Sequence, residues 1–386
     1  MNRIKRLLPP ANIGVVGGGQ LGRMMALEAK RMGYHVIVLD PKPNAPAGQV
    51  ADEQIEAEFN DARALKVLAE KSDVITYEFE HINVALLQKL EEEGYYIYPS
   101  SNTLGIIQNK LRQKEKLEAE GIPVPRFFKV NSLEQLTDIF NQLDRKIVLK
   151  TCSGGYDGKG NAIIKDQAKL ADAYNEFSGR ELMVEEFVPY VKEVSIIVAR
   201  NDQEITFYPV AENNHQDSIL ISSIIPANIS EEIDTKIRDI AKKVVEVLND
   251  YGIFCIEFFV DAKGNVLVNE IAPRPHNSGH YSIEGCITSQ YEQLVRVITG
   301  MPLGSVKLRR PCAMYNILGS DEVNGQYCID GVHQVQSLED CYFHLYGKSE
   351  TKYLKKIGHI TAMDDSTEAA EKKARLALDC IKIIDR

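Results

Sequence analysis

Residues 146–165 read KIVLKTCSGGYDGKGNAIIK. An apolar strand over 146–151 runs into Cys152-Ser153-Gly154-Gly155-Tyr156-Asp157-Gly158-Lys159-Gly160, and a second strand is predicted over 161–165. Four glycines exceed what a turn needs. Glycine lets backbone N–H groups come close to a ligand, and consecutive N–H groups make an anion-binding nest. This is not a Walker loop. That pattern needs glycine where Ser153 stands, Ser or Thr where Gly160 stands, and a helix rather than a strand afterwards. Two readings follow: a mobile hairpin tip closing over phosphates, or an ordinary flexible tip. Lys150, near the end of the apolar strand, tilts the balance to the first, because its charge can reach the same phosphates.

Working outward to the N-terminal side, residues 12–40 read NIGVVGGGQLGRMMALEAKRMGYHVIVLD. A short strand, the G-x-G-x-x-G of Gly17–Gly22, a helix and a second strand ending on Asp40 fit the dinucleotide fingerprint, with the acid about 20 residues beyond the glycines. Strands are predicted at IGVV, HVIVL, DVITY and YYIYP, with helices at 20–32, 61–71 and 83–92. That alternation predicts a parallel sheet with helices on both faces. A long polar helix, QNKLRQKEKLEAEG, follows and ends at Gly121. Residues 126–190 read as a smaller α+β unit. From 191 the strands EVSIIVAR, EITFYPVA, GIFCIEFFVD and NVLVNEI are often adjacent, which implies antiparallel pairing. One long helix, about 230–250, interrupts them. Pro302 and Gly304 mark a further boundary before a C-terminal α+β segment.

On the C-terminal side, GIFCIEFFVD carries Glu257 among hydrophobes, and VLVNEIAPRP carries Glu270. A two-residue turn at Lys263-Gly264 puts Glu257 opposite Glu270, with Cβ atoms about 5 Å apart. Like charges facing each other in a half-buried sheet destabilise it unless something offsets them. Two carboxylates with phosphate oxygens are what Mg2+ prefers, and Asn269 adds a neutral oxygen. The alternative is that one glutamate points to solvent or pairs with a lysine. A one-residue slip in register would put the acids on opposite faces. After Glu270, Pro273 and Pro275 stiffen a loop that can hold Arg274 and His276, while His280 reads as structural.

Bulk properties narrow the class. The chain has 386 residues, enough for two or three domains. A net charge of −10 argues against a general nucleic-acid or membrane-surface binder, though a local basic pocket can still hold a small anion. Seven cysteines without a C-x-x-C pair suit a reduced intracellular protein, and Cys255, in an apolar run, reads as a packing residue. The N-terminus lacks the apolar stretch of a signal peptide, and no apolar run is long enough to span a membrane. A soluble cytoplasmic protein is expected.

The phosphate-covering hairpin, the strand lysine and the paired Glu/Asn-Glu site, in that order along the chain, resemble the ATP-grasp superfamily. Within it, GGGQLGRM, TYEFE, GGYDGKG, NEIAPRPHNSGHY and HLYGK…KKIGH are similar to the N5-carboxyaminoimidazole ribonucleotide synthetase family of purine biosynthesis. The resemblance spans nearly the whole chain. It implies a mixed α/β and α+β ATP-grasp fold. A Rossmann-like preATP-grasp domain would cover 1–103 and an ATP-grasp domain 104–300, with a lid at about 122–190. A small C-terminal domain, 301–386, would complete the substrate site.

The resemblance also implies roles. Lys110, Lys150, Gly154, Gly155, Tyr156, Asp157, Gly158, Lys159 and Gly160 would hold ATP. Glu185, Glu186, Phe187 and Val188 would line the adenine slot through their backbone. Glu193 would take the ribose hydroxyls, or else be a solvated strand-start charge, and His215 is a further nucleotide candidate. Glu257, Asn269 and Glu270 would hold magnesium, two ions in all. Gln20, Leu21, Glu78 and Asn277 would contact aminoimidazole ribonucleotide, and Lys348, Lys355 and Lys356 its 5′-phosphate. Taken alone, such a lysine cluster is more often a solvated face. Arg274, His276, Lys348, Tyr156 and Asp157 would surround bicarbonate and the amine.

The implied reaction is ATP-dependent carboxylation of that ribonucleotide through carboxyphosphate. The protein would be a homodimer, with its product passed to a mutase. The family commonly has arginine at Lys110 and Arg-Lys at Lys355-Lys356; lysine keeps the charge but loses the bidentate fork. A formate-dependent glycinamide ribonucleotide transformylase is the nearest rival, but Gln20 and HNSG favour the carboxylase. An NAD dehydrogenase on 12–40 is a rival of another class, and it leaves the second glycine loop and the glutamate pair unexplained. A catalytically silent nucleotide-binding regulator is a third. In this reading Asp40 is a strand-end turn residue.

Overall fold

The structure is a computed structural model that describes residues 4–143, 145–155 and 160–386. The N-terminal sheet is parallel, with strands ordered Glu53–Ile55, His35–Leu39, Asn12–Val16 and Val74–Tyr77. Helices Gln20–Arg31, Ala62–Lys71 and Val84–Glu92 fall where periodicity predicts them. Two details differ. Strand Glu53–Ile55 is too short and polar to be read from alternation. The expected strand YYIYP reduces to one bridge, Ile75 with Ile97.

The first helix buries Leu21, Met24, Met25 and Ala29, the i, i+3, i+4 stripe of an amphipathic helix. That stripe belongs to a core shared with Ile197, Ile253, Leu294 and Val295, so the N-terminal unit is packed onto the central sheet. Arg31 and Glu292 pair across this contact at 2.6 Å. Gln20, at the N-terminal end of the helix, is thereby fixed at the rim of the central cleft.

Helix Lys110–Ala119 ends as expected at Gly121 (φ +67°), where Ile122 N–H reaches Leu117 O and Gly121 N–H reaches Glu118 O. This pair of bonds is a Schellman stop. The helix is not simply polar, however. Leu111, Gln113, Lys114 and Leu117 are buried, because this face lies against strand Val266–Ala272.

The lid is a four-stranded antiparallel sheet in the order Phe127–Val130, Leu182–Glu186, Ile147–Thr151, Asn161–Ile164. The strands either side of the glycine-rich segment pair as a hairpin, Lys150 opposite Asn161. The large sheet runs Val266–Ala272, Gly252–Asp261, Tyr190–Arg200, Ala211–Gln216, Ile219–Ile225, Cys312–Leu318, Lys356–Met363, Cys341–Leu345. It continues past residue 300, so the C-terminal segment brings Lys356 to the same sheet that carries Glu257. Helix Glu231–Leu248 covers one face and seals Phe254, Ile256 and Phe258, each worth roughly 2–3 kcal/mol on full burial. Among the described residues no helix is long and apolar enough to cross a membrane.

Candidate active site

The glycine loop at 17–22 is already full. Asp40 Oδ2 accepts the Gly18 amide at 2.8 Å, and Oδ1 accepts the Lys42 amide at 2.8 Å. Glu78 accepts the amides of Gly19 and, at 2.7 Å, Gly22. A Cβ on Gly19 would strike the Glu78 carboxylate, so glycine is required there by the approach of this acid. The N–H groups that hold pyrophosphate in a dinucleotide enzyme are thus spent on two internal carboxylates. The strand-end role of Asp40 stands, with one addition: it is buried and locks the loop.

A cleft of about 930 Å³ opens beside this loop. Its wall brings together Gln20, Leu21 and Glu78 from the N-terminal unit, and Lys110 and Lys150 with Gly154 and Gly155 from the lid side. Glu185 to Val188, Glu193, His215, Glu257, Asn269, Glu270, Arg274, His276, Asn277 and Lys356 complete it. Residues far apart in sequence therefore share one cavity. Gly160 (φ +84°) lies just outside it, its carbonyl accepting the Thr151 amide. Tyr156, Asp157, Gly158 and Lys159 lie outside the described residues.

Glu257 does face Glu270, but by a different route from the expected turn. The loop has three residues, Ala262-Lys263-Gly264, closed by Asp261 N–H to Asn265 O at 3.1 Å, with Gly264 at φ +77°. That shifts the pairing by one, so Phe258 meets Val268. A β-bulge at Asn269 shifts it back. The bulge also turns Asn269 and Glu270 to the cleft together, while Val268 and Ile271 stay buried. Three oxygen-bearing side chains then converge. Burial and the neighbouring Glu270 push the Glu257 carboxyl up to about 7, although His215 opposes the shift. A carboxyl so strained toward neutrality is what a divalent cation relieves, so the residues fit Mg2+.

Around this pair Lys110, Lys114 and Lys150 each have an acidic partner. Lys110 Nζ lies 2.5 Å from Glu270; burial opposes both charges, yet the contact holds the lysine pKa up and the glutamate pKa down. Lys150 donates to Glu185 at 2.6 Å. Glu185 also pairs with buried Lys114 at 3.4 Å, and Lys114 donates to Val268 O at 2.9 Å. Burial acts to raise the Glu185 pKa, but Lys114 and Lys150 outweigh it and bring it to about 2. The Glu185 side chain is therefore a buried clasp for two lysines, a function the sequence reading, which used its backbone, missed. Lys114 was missed too, because a lysine in a charged helix carries no mark of burial. His215 Nδ1 and Glu193 meet at 2.7 Å, and that hydrogen bond keeps the histidine pKa raised against burial.

Elsewhere in the cleft Arg274 Nη2 reaches both oxygens of Glu80, at 2.8 and 3.1 Å. Arg274 Nε is buried with no acceptor among the described residues. Glu80 was also missed, though it stands two residues from Glu78 in TYEFE. His276 is held neutral by burial and by Arg274; its Nδ1 accepts the Ser278 amide at 3.3 Å, so Nε2 faces Glu257 at 3.6 Å. Asn277 and Asn316 exchange amide hydrogen bonds at 2.8 and 3.0 Å. Lys356 lines the cleft; Lys348 donates to its carbonyl at 2.7 Å, and Lys355 donates to Glu350 O at 2.6 Å. His280 is structural as expected, buried with Tyr291 Oη on its Nδ1 at 2.8 Å.

A lid hairpin over a cleft floored by facing carboxylates defines an ATP-grasp protein. Residues 115–291 match the ATP-grasp domain family, 11–108 the ribonucleotide synthetase preATP-grasp domain, and 312–373 the phosphoribosylaminoimidazole carboxylase C-terminal domain. The chain is 42% identical over 358 residues to N5-carboxyaminoimidazole ribonucleotide synthase of Bacillus subtilis, covering 92% of each chain. The N5-carboxyaminoimidazole ribonucleotide synthetase structure from Thermotoga maritima superposes with TM-score 0.89 at 46% identity, over 97% of this chain and 100% of that one. The synthase from Aspergillus clavatus, solved with ADP and 5-aminoimidazole ribonucleotide, gives TM-score 0.89 at 32% identity, over 97% and 99%. The chain belongs to the N5-carboxyaminoimidazole ribonucleotide synthase family, whose members are ATP-grasp ligases.

Proposed function

We propose that this cleft carboxylates 5-aminoimidazole ribonucleotide with bicarbonate, at the expense of ATP, to give N5-carboxyaminoimidazole ribonucleotide, ADP and phosphate. The observation that carries the reading is the joining in one cavity of Gln20, Leu21 and Glu78 with Lys150, the Glu257–Glu270 pair and Lys356. A nucleotide site and a substrate site then share a wall.

The substrate amine is a weak nucleophile and bicarbonate a weak electrophile. A bicarbonate oxygen attacks the γ-phosphorus, ADP leaves, and carboxyphosphate results. The amine nitrogen then takes the carboxyl carbon, directly or after release of CO2, and phosphate departs with its bonding pair. The chain's part is positioning and charge balance. Lys150, held by Glu185, and Lys110 face the phosphates. The hairpin tip excludes water that would hydrolyse the intermediate. Glu257, Asn269 and Glu270 would hold magnesium, which would neutralise phosphate charge when bound. Arg274 lines the cleft, and its guanidinium can pair with an anionic oxygen there, which suits bicarbonate. His276, kept neutral by burial and by Arg274, can donate a hydrogen bond beside it.

We read Glu193 and His215 as ribose contacts, Phe187 and Val188 as walls of the base slot, and Asn277 with Lys348, Lys355 and Lys356 as the grip on the substrate and its 5′-phosphate. We also infer a cytoplasmic homodimer joined through its N-terminal unit, where Leu8 and Leu27 are exposed. The product carbamate is labile, so a mutase is its natural recipient.

The test is ADP release with Mg-ATP and aminoimidazole ribonucleotide, with and without bicarbonate. Bicarbonate-dependent turnover is expected. Turnover with formate and glycinamide ribonucleotide in its place would assign the cleft to the transformylase.

A further inference from the structure

We propose that the floor of this cleft is also a site for a thiophilic divalent cation of the Zn2+ type, held by Cys255 Sγ, Glu257 and His276 Nε2. Cys255 and Glu257 stand two apart on strand Gly252–Asp261 and so share a face. One ligand atom of each of the three residues lies within 4.8 Å of the others. His276 Nε2 and Glu257 Oε1 are 3.6 Å apart, close to the edge of a tetrahedron around zinc, given bonds of about 2.0–2.3 Å.

The orientation is built rather than incidental. His276 Nδ1 lies 2.9 Å from Ser278 Oγ; in the tautomer in which Nδ1–H donates to that oxygen, the Nε2 lone pair is free for the cation. Ser278 Oγ is itself fixed by Ser195 Oγ at 2.8 Å. The local field also favours a cation. Glu193 and Glu270 both bear on Glu257, and the Arg274 charge is matched by Glu80. Glu257 and His276 line the cleft, so an ion enters there, with Cys255 behind them and a fourth position open to water.

Donor chemistry separates this ion from magnesium. A hard cation with oxygen ligands gains nothing from a thiol, whereas sulfur with imidazole and carboxylate suits zinc or cobalt. A free cysteine carries S–H at neutral pH. Binding breaks that bond heterolytically, forms the sulfur–metal bond and releases the proton to water. Cys255 is therefore more than a packing residue. The ion would take Glu257 from the magnesium pair and stop ADP formation, a consequence that rests on the proposed function, whereas the binding does not.

The test uses Co2+ as probe on the full chain without nucleotide or magnesium. Expected are a thiolate-to-cobalt charge-transfer band, four-coordinate visible bands and proton release. Cys255→Ser should lose the band and bind at least about tenfold more weakly, with unchanged melting and unchanged basal turnover. Cys255→Ala serves as a second variant should serine disturb the core. Cobalt binding without the band, or equal affinity in the variants, overturns the site. Zinc should inhibit wild-type turnover and spare Cys255→Ser; equal inhibition of both overturns the inhibitory role. A cobalt–thiolate band in a chain without bicarbonate-dependent turnover would sink the carboxylase reading and leave the metal site standing.

Discussion

Glu78 accepts the Gly22 amide at 2.7 Å and the Gly19 amide beside it, and so occupies the helix N-terminus that pyrophosphate takes in a nicotinamide enzyme. The chain has filled its own anion site. What remains at the rim is Gln20 and Leu21, side chains rather than amides, facing the cleft. The fingerprint thus keeps its fold meaning and loses its ligand.

Glu78→Gln should weaken this clasp, because a neutral amide replaces a charged acceptor of two N–H groups. A stability loss of about 1.5–3 kcal/mol is expected, with a raised KM for the ribonucleotide. Thermal melting and steady-state kinetics read both. NADH titrated into the wild-type chain should give no saturable fluorescence change.

Glu257→Gln and Glu270→Gln should each lower ADP formation by at least about 10²–10³-fold while circular dichroism stays native. Wild-type rates in either variant would refute the magnesium assignment. Glu270→Gln also leaves the Lys110 ammonium without its carboxylate partner, so ATP affinity should fall in that variant more than in Glu257→Gln.

The Glu185 clasp makes an acid-stability prediction. Its folded pKa, about 2, lies below the ordinary 4.5, so the unfolded chain binds the extra proton between these values. The contribution is complete above pH 4.5 and is lost as pH falls toward 2. Glu185→Gln should flatten the stability–pH slope within that window. Equal slopes in urea titrations across it would contradict the buried ion pairs.

Lys114→Ala removes one partner of a fully buried carboxylate and should cost about 3 kcal/mol. Lys114→Met, which keeps the volume, should cost less than alanine, though the Glu185 charge stays only half matched. Chemical denaturation of the two variants separates packing from charge.

Arg274→Lys keeps the charge but loses the planar fork that reaches Glu80 and the Nε–H left over. We expect kcat to fall about 10²-fold with the KM for ATP nearly unchanged. A matching loss in ATP affinity would place Arg274 on the nucleotide instead.

Most of the order of elements is legible in the residues alone, because strand and helix periods and glycine stops are local properties. Gly121 ends its helix and Lys150 sits across a hairpin from Asn161 for reasons contained within a few residues. The sequence also put Glu257 and Glu270 on the two strands of one hairpin, while their register rested on an assumed two-residue turn. How they meet was decided by tertiary structure. A three-residue loop and a bulge at Asn269 cancel each other, and a one-residue count has no signature in alternation when both departures lie in the same hairpin. Burial of charge was likewise invisible in sequence. Lys114 reads like its solvated neighbours in KLRQKEKL, and only the strand packed against that helix makes it the partner of Glu185. The cleft itself belongs to neither end of the chain. It exists because a sheet continuous past residue 300 and a core shared with the first helix hold Gln20, Glu257 and Lys356 within one cavity.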